Sequence, residues 1–92
     1  MKLPLNYAII NHFVQVDEAT ADDVIRTLTP EYGNYRGLRR PAVIEAIMTA
    51  VSNDLLAESR YEVDAQGVLQ VYYKTTPEQR KTIIGYIGNH PY

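Results

Sequence analysis

The chain contains no cysteine, so neither a disulfide framework nor a thiolate metal site can be built from it. That fits a reducing compartment, and the expected location is the cytoplasm. No apolar run approaches the roughly 20 residues of a membrane span, and the N-terminus lacks the apolar core of a signal peptide. A soluble protein without a membrane partner is expected. Positive charge is scarce too: nine Lys and Arg against eleven Asp and Glu give a net charge of −2, with a pI of about 5.6. Chains held to nucleic acid by their overall field are commonly basic, so any phosphate contact here has to be local. There are only two histidines, His12 and His90. No serine sits in a nucleophile elbow, and no glycine-rich loop could cradle a phosphate. Nothing in the spacing pairs a nucleophile with a base, so the chain does not read as an enzyme.

What is present is a globular composition: 92 residues, 46% hydrophobic and 22% charged. That is enough for one domain over 1–92 with a modest core. There is no internal repeat, linker or low-complexity tract. Charge is clustered despite its low total: Arg36, Arg39 and Arg40 fall together, as do Asp17, Glu18, Asp22 and Asp23. The acids offer hard oxygen ligands, but their spacing lacks the glycine turn of a calcium loop. They read instead as acids suited to a helix N-terminus, and neither a metal nor a cofactor is expected.

The periodicity predicts four helices and a hairpin. Pro4 suits a first-turn position, and Leu5, Ala8, Ile9, Ile10 and Phe13 repeat at helical spacing over 4–14. A short extended or loop segment follows at 14–17. Thr20 is an N-cap for a second helix over 20–30 with Val24, Ile25 and Leu28 inward; its end falls near Thr29–Tyr32, where Pro30 disfavours helix at the residue before it. Gly33-Asn34-Tyr35-Arg36-Gly37 reads as a turn whose glycines can take positive φ. Pro41 then opens a third helix to residue 55 with Ile44, Ile47, Met48, Val51 and Leu55 inward, leaving Ala42, Glu45, Ala46, Thr49 and Asn53 outward. Beyond Leu56 the period becomes two. Ser59, Tyr61 and Val63 oppose Arg60 and Glu62, Asp64-Ala65-Gln66-Gly67 turns, and Leu69, Val71 and Tyr73 complete a hairpin near 57–74. Thr76-Pro77-Glu78-Gln79 matches a capping box, starting a helix over 77–87 with Ile83, Ile84 and Ile87 that stops at Gly88-Asn89.

Two readings of this order compete. In the first, Arg36, Arg39 and Arg40 bind phosphate just ahead of the third helix, aided by its N-terminus. Asn34 and Tyr35 add hydrogen bonds to phosphate or sugar. Thr49 and Asn53 face bases, and Glu45 can accept from a cytosine amino group. Against this, Pro41 through Ser59 carries no Lys or Arg, and the hairpin tip has no cation, leaving Arg60 and Lys74 on its stems. The second reading is a protein-interaction module on the same scaffold. Eight tyrosines, among them Tyr61, Tyr72, Tyr73 and Tyr86, suit either the half-buried edge of a thin core or a subunit interface.

Helix, turn, arginine-led helix and hairpin, in that order through Val24–Leu28, Gly33–Arg40, Pro41–Leu55 and Ser59–Lys74, resemble the winged helix-turn-helix superfamily of bacterial transcription regulators. The layout is similar to the PadR-like and MarR-like groups. The resemblance implies an α+β fold: a three-helix core, a two-stranded wing hairpin open to a third short strand, and a C-terminal helix. It implies a regulator that binds double-stranded DNA, and a homodimer formed through the C-terminal helix at Ile83, Ile84, Tyr86 and Ile87.

Overall fold

The computed structural model describes residues 3–88. Its elements run α1 (Leu5–Gln15), α2 (Ala21–Tyr32), a 3-10 turn (Arg36–Leu38), α3 (Arg40–Ser52), β1 (Ala57–Val63), β2 (Leu69–Lys74) and α4 (Pro77–Gly88). The expected stop at Asn89, and His90, lie outside the described residues. Among those described, no helix is long and apolar enough to cross a membrane.

Local chemistry explains most boundaries. Pro4 stands at the N-cap of α1, its carbonyl taking the Ala8 N–H at 2.9 Å. Thr20 caps α2 in a reciprocal box: its Oγ1 accepts from Asp23 N at 3.1 Å, and its own N–H donates to Asp23 Oδ2 at 3.0 Å. That pairing holds the Asp23 carboxyl below the usual range, the backbone hydrogen bond from Thr20 being the main cause. The same device opens α4, where Gln79 N donates to Thr76 Oγ1 at 3.2 Å and Thr76 N to Gln79 Oε1 at 3.0 Å. Gln79 is buried, and its amide also donates to Asp54 Oδ1 at 3.2 Å, tying α4 to the end of α3.

The core gathers Ile9, Phe13, Val24, Val43, Ile47, Leu56 and Ile83, each fully buried. Alpha-1 lies at its centre, in contact with α2, α3, α4 and β2. Tyr32 joins it from the last turn of α2 and donates its hydroxyl to the Leu3 carbonyl. The two strands pair antiparallel, Tyr61 opposite Val71 and Val63 opposite Leu69. The third strand is reduced to a single bridge, Ala19 with Tyr73, closed by bonds of 3.0 and 2.8 Å.

Several expectations need correction. Alpha-2 ends at Tyr32, inside the expected Thr29–Tyr32 end but two residues past the bound of 30; the proline removes one helical donor without ending the helix there. Gly33 has φ −57 and Gly37 lies within the 3-10 turn, so neither supplies a left-handed residue. Their role is space: a Cβ would sit 2.8 Å from the Thr29 carbonyl oxygen at Gly33, and 2.8 Å from Leu5 Cδ2 at Gly37. The described glycine with positive φ is Gly67 (φ 80), in the hairpin turn. Alpha-3 stops at Ser52 instead of 55, because Asp54 turns left-handed at φ 60. Asp54 N then reaches Val51 O at 3.1 Å and Leu55 N reaches Ala50 O at 2.9 Å, a Schellman closure that leaves Leu55 and Leu56 beyond the helix. The buried side of α3 is Val43, Ile47 and Ala50, while Met48 is half exposed and takes a contact from the Tyr73 hydroxyl. In β1 the register shifts between Glu58 and Arg60, so the strict alternation expected from Ser59 onward fails at its start.

Gly85 offers a stability test. It lies within α4, and among the described residues nothing beyond its chain neighbours and its own helix backbone falls within 4 Å of the place an alanine Cβ would take. Gly85→Ala should raise stability by about 0.5–1 kcal/mol through the unfolded chain's lost freedom. Chemical denaturation checks it, and a loss instead of a gain would mean that this face of α4 is covered.

Candidate nucleic-acid interface

Alpha-2, the turn and α3 form the helix-turn-helix, and β1–β2 projects beside it as the wing. The structure separates the expected contact residues into three concavities around α3. Asn34, Tyr35, Arg36 and Arg39 line one of 170 Å³, with Thr29 and Gly33 of the α2 end. All four of the first-named side chains are exposed, and Tyr35 stands edge-on to Tyr32 at 5.3 Å. Arg36 and Arg39 make no ion pair with the described residues. The α3 N-terminus beside them has no side-chain cap and no acid in its first turn, so its positive end and both guanidinium groups leave this end of the helix locally cationic.

Arg40 turns the other way. It lines a groove between α2, α3 and β2 with Thr20, Ile44 and Leu69, and its Nε donates to Asp22 Oδ1 at 3.1 Å. Thr49 and Asn53 line a third hollow of 380 Å³ between α1 and α3, beside Asn6, Glu45 and Ala46. The outward surface of α3 is therefore Glu45, Thr49, Ser52 and Asn53, with Met48 at its edge. Ser52 was not among the residues expected on this surface; its place one helical turn beyond Met48 and two beyond Glu45 was the signal that could have found it.

The wing is braced rather than cationic. Arg60 donates through Nε to Glu18 Oε1 at 2.8 Å, also pairs with Glu62, and lies 3.9 Å over the Tyr72 ring. Ser59 Oγ donates to the other Glu18 oxygen at 2.7 Å. These bonds, Arg60's first, hold the Glu18 carboxyl below its ordinary range. Toward the tip, Tyr61, Val63, Val68 and Leu69 are exposed, and Asp64 Oδ1 spends itself on the turn, accepting from Gln66 N and Val68 N, each at 2.9 Å. Lys74 on the stem makes no ion pair with the described residues.

Other chemistry is thin. His12 is half-buried beside Phe13, and desolvation lowers its pKa against the opposing pull of Asp23. Among the described residues no three His, Asp or Glu converge as a metal site would require. On α4, Ile83 is fully buried and Ile87 packs on the core, whereas Ile84 and Tyr86 are exposed.

No family model and no curated protein matches the chain. Among solved structures it is similar to Bacillus subtilis PadR in complex with operator DNA, with a TM-score of 0.75 at 14% identity, covering 96% of this chain and 49% of that one. The chain thus spans about half the length of the PadR chain. The fold is a winged helix-turn-helix, of α+β class, with four helices and a two-stranded antiparallel hairpin.

Proposed function

We propose that this winged helix is a cytoplasmic, DNA-binding transcription regulator that grips the phosphate backbone through the turn ahead of α3. The observation that carries this reading is the pair Arg36 and Arg39, exposed and with no acid paired to them among the described residues, beside the uncapped α3 N-terminus. Asn34 and Tyr35 complete the phosphate and sugar contacts, and Thr49 and Asn53 present hydroxyl and amide to base edges. The similar PadR structure is a complex with operator DNA, which agrees with this use of the fold. The regulator works as a homodimer joined through an exposed flank of α4, at Ile84 or at Tyr86 on the opposite side of the buried stripe, and it needs no cofactor.

A second reading has its own support. Arg40 and Arg60 are engaged by Asp22 and Glu18, and the wing shows apolar side chains where a duplex-contacting wing would profit from cations. Those features favour a protein partner at the wing.

Fluorescence anisotropy with random duplex at two salt concentrations separates the two. Wild type should bind with a steep salt dependence. Arg36→Ala with Arg39→Ala should weaken binding at low salt and reduce the slope of log K against log salt by about 2, near one per lost phosphate contact. No binding by folded wild type at low salt would sink the DNA reading and leave the protein partner.

A further inference from the structure

Arg40 differs from its two neighbours in being occupied. It is the first residue of α3, where its charge lies against the positive end of its own helix. Asp22, in the first turn of α2, offsets that charge across 18 residues of sequence. The contact is a single one, Nε to Oδ1 at 3.1 Å, with the Arg40 and Asp22 side chains 51% and 41% exposed. Exposed pairs of this kind contribute little to stability and exchange readily. Asp22 makes no cap: the box at Thr20 is closed by Asp23. Arg60 is held quite differently, by Glu18, Glu62 and the Tyr72 ring together, so it stays a brace of the wing.

We propose that Asp22 is an internal competitor for phosphate at Arg40, and so sets the affinity of the recognition helix for nucleic acid. The inference rests on the DNA reading above. In the free protein the Asp22 carboxylate stands where a backbone phosphate would stand. A backbone phosphate reaching the groove between α2, α3 and β2 competes with it for the Nε edge of Arg40, which serves one oxyanion at a time. The competition lowers what Arg40 adds to nonspecific binding by the few-fold equivalent of one exposed ion pair.

Asp22→Asn keeps the shape and the α2 cap while removing the competing charge. At low salt, random-duplex affinity should rise by roughly two- to fivefold, the fold equivalent of one exposed ion pair. In an Arg40→Ala background the same substitution should give little gain. Asp17→Asn, an exposed acid outside any ion pair of the described residues, reports the general effect of removing one negative charge. Thermal melting shows that each variant is folded. Equal gains from Asp22→Asn with and without Arg40 would overturn the proposal, because the effect would then be field alone. Wild-type binding that depends on Arg36 and Arg39 but ignores Asp22→Asn would overturn it while leaving the DNA reading intact. Failure of wild type and Asp22→Asn alike to bind would remove both.

Discussion

Phe13→Ala is expected to cost about 3–5 kcal/mol, the range for removing a buried aromatic ring and leaving a cavity. Phe13 is the chain's one phenylalanine and is 0% exposed. It sits on α1, the helix that touches α2, α3, α4 and β2, so the cavity would open in the element the others pack around. Its backbone carbonyl also accepts from Thr75 Oγ1 at 3.2 Å, fixing the entry to α4 against α1. Native domains have a total stability of about 5–15 kcal/mol, so the substitution removes a large share. Phe13→Leu, which keeps most of the volume, should cost under about 1.5 kcal/mol. Urea denaturation of the two variants measures the difference. A loss under about 1 kcal/mol for the alanine variant would mean that the helices collapse around the hole and that α1 is not the central pillar of the core.

The parts of this fold that were legible in the sequence are those written locally. Thr20, the Thr76–Gln79 box and the Asp64–Gly67 turn each state their geometry within four residues, and each appears as expected. The phase of α3 was not legible, for a physical reason. Ala42, Val43, Ile44, Ala46, Ile47, Met48, Ala50 and Val51 make the helix apolar nearly all round, so a periodicity search has no polar face to fix its rotation. Small Ala50 faces the core, and larger Met48 stays at the edge, held by Tyr73. The end of α3 was hidden because an aspartate, not a glycine, takes the left-handed position. The site was half legible. That Arg36, Arg39 and Arg40 surround one helix N-terminus follows from sequence. That Arg40 faces away from the other two and meets Asp22, and that Arg60 meets Glu18 42 residues away, follows only from tertiary packing.

A pair of neighbouring isoleucines provides the sharpest contrast in the molecule. Ile83→Asp should unfold the domain, whereas Ile84→Asp should leave its monomer stability within about 0.5 kcal/mol. Gln79, Ile83 and Ile87 recur every fourth residue along α4 and form its inner stripe, with Ile83 at 0% exposure. A carboxylate there would lose its hydration among the apolar side chains of the core, a cost of several kcal/mol or a forced protonation. Ile84, one residue on, is 53% exposed and Tyr86 is 50% exposed. Apolar groups of this size left in water on one helix are what a helix-to-helix subunit contact would bury. Ile84 and Tyr86 lie about 200° apart around the helix and flank its buried stripe on opposite sides. A homodimer through α4 therefore has to use Ile84 or Tyr86, because Ile83 is already committed to the core and Ile87 packs against it. Sedimentation equilibrium of wild type, Ile84→Asp and Tyr86→Ala tests this directly. The proposed interface predicts a wild-type dimer and a concentration-dependent shift to monomer in the variant whose flank of α4 is buried, with unchanged far-UV circular dichroism. A wild-type monomer would remove the dimer from the proposed regulator, and a dimer indifferent to both substitutions would move its interface off α4.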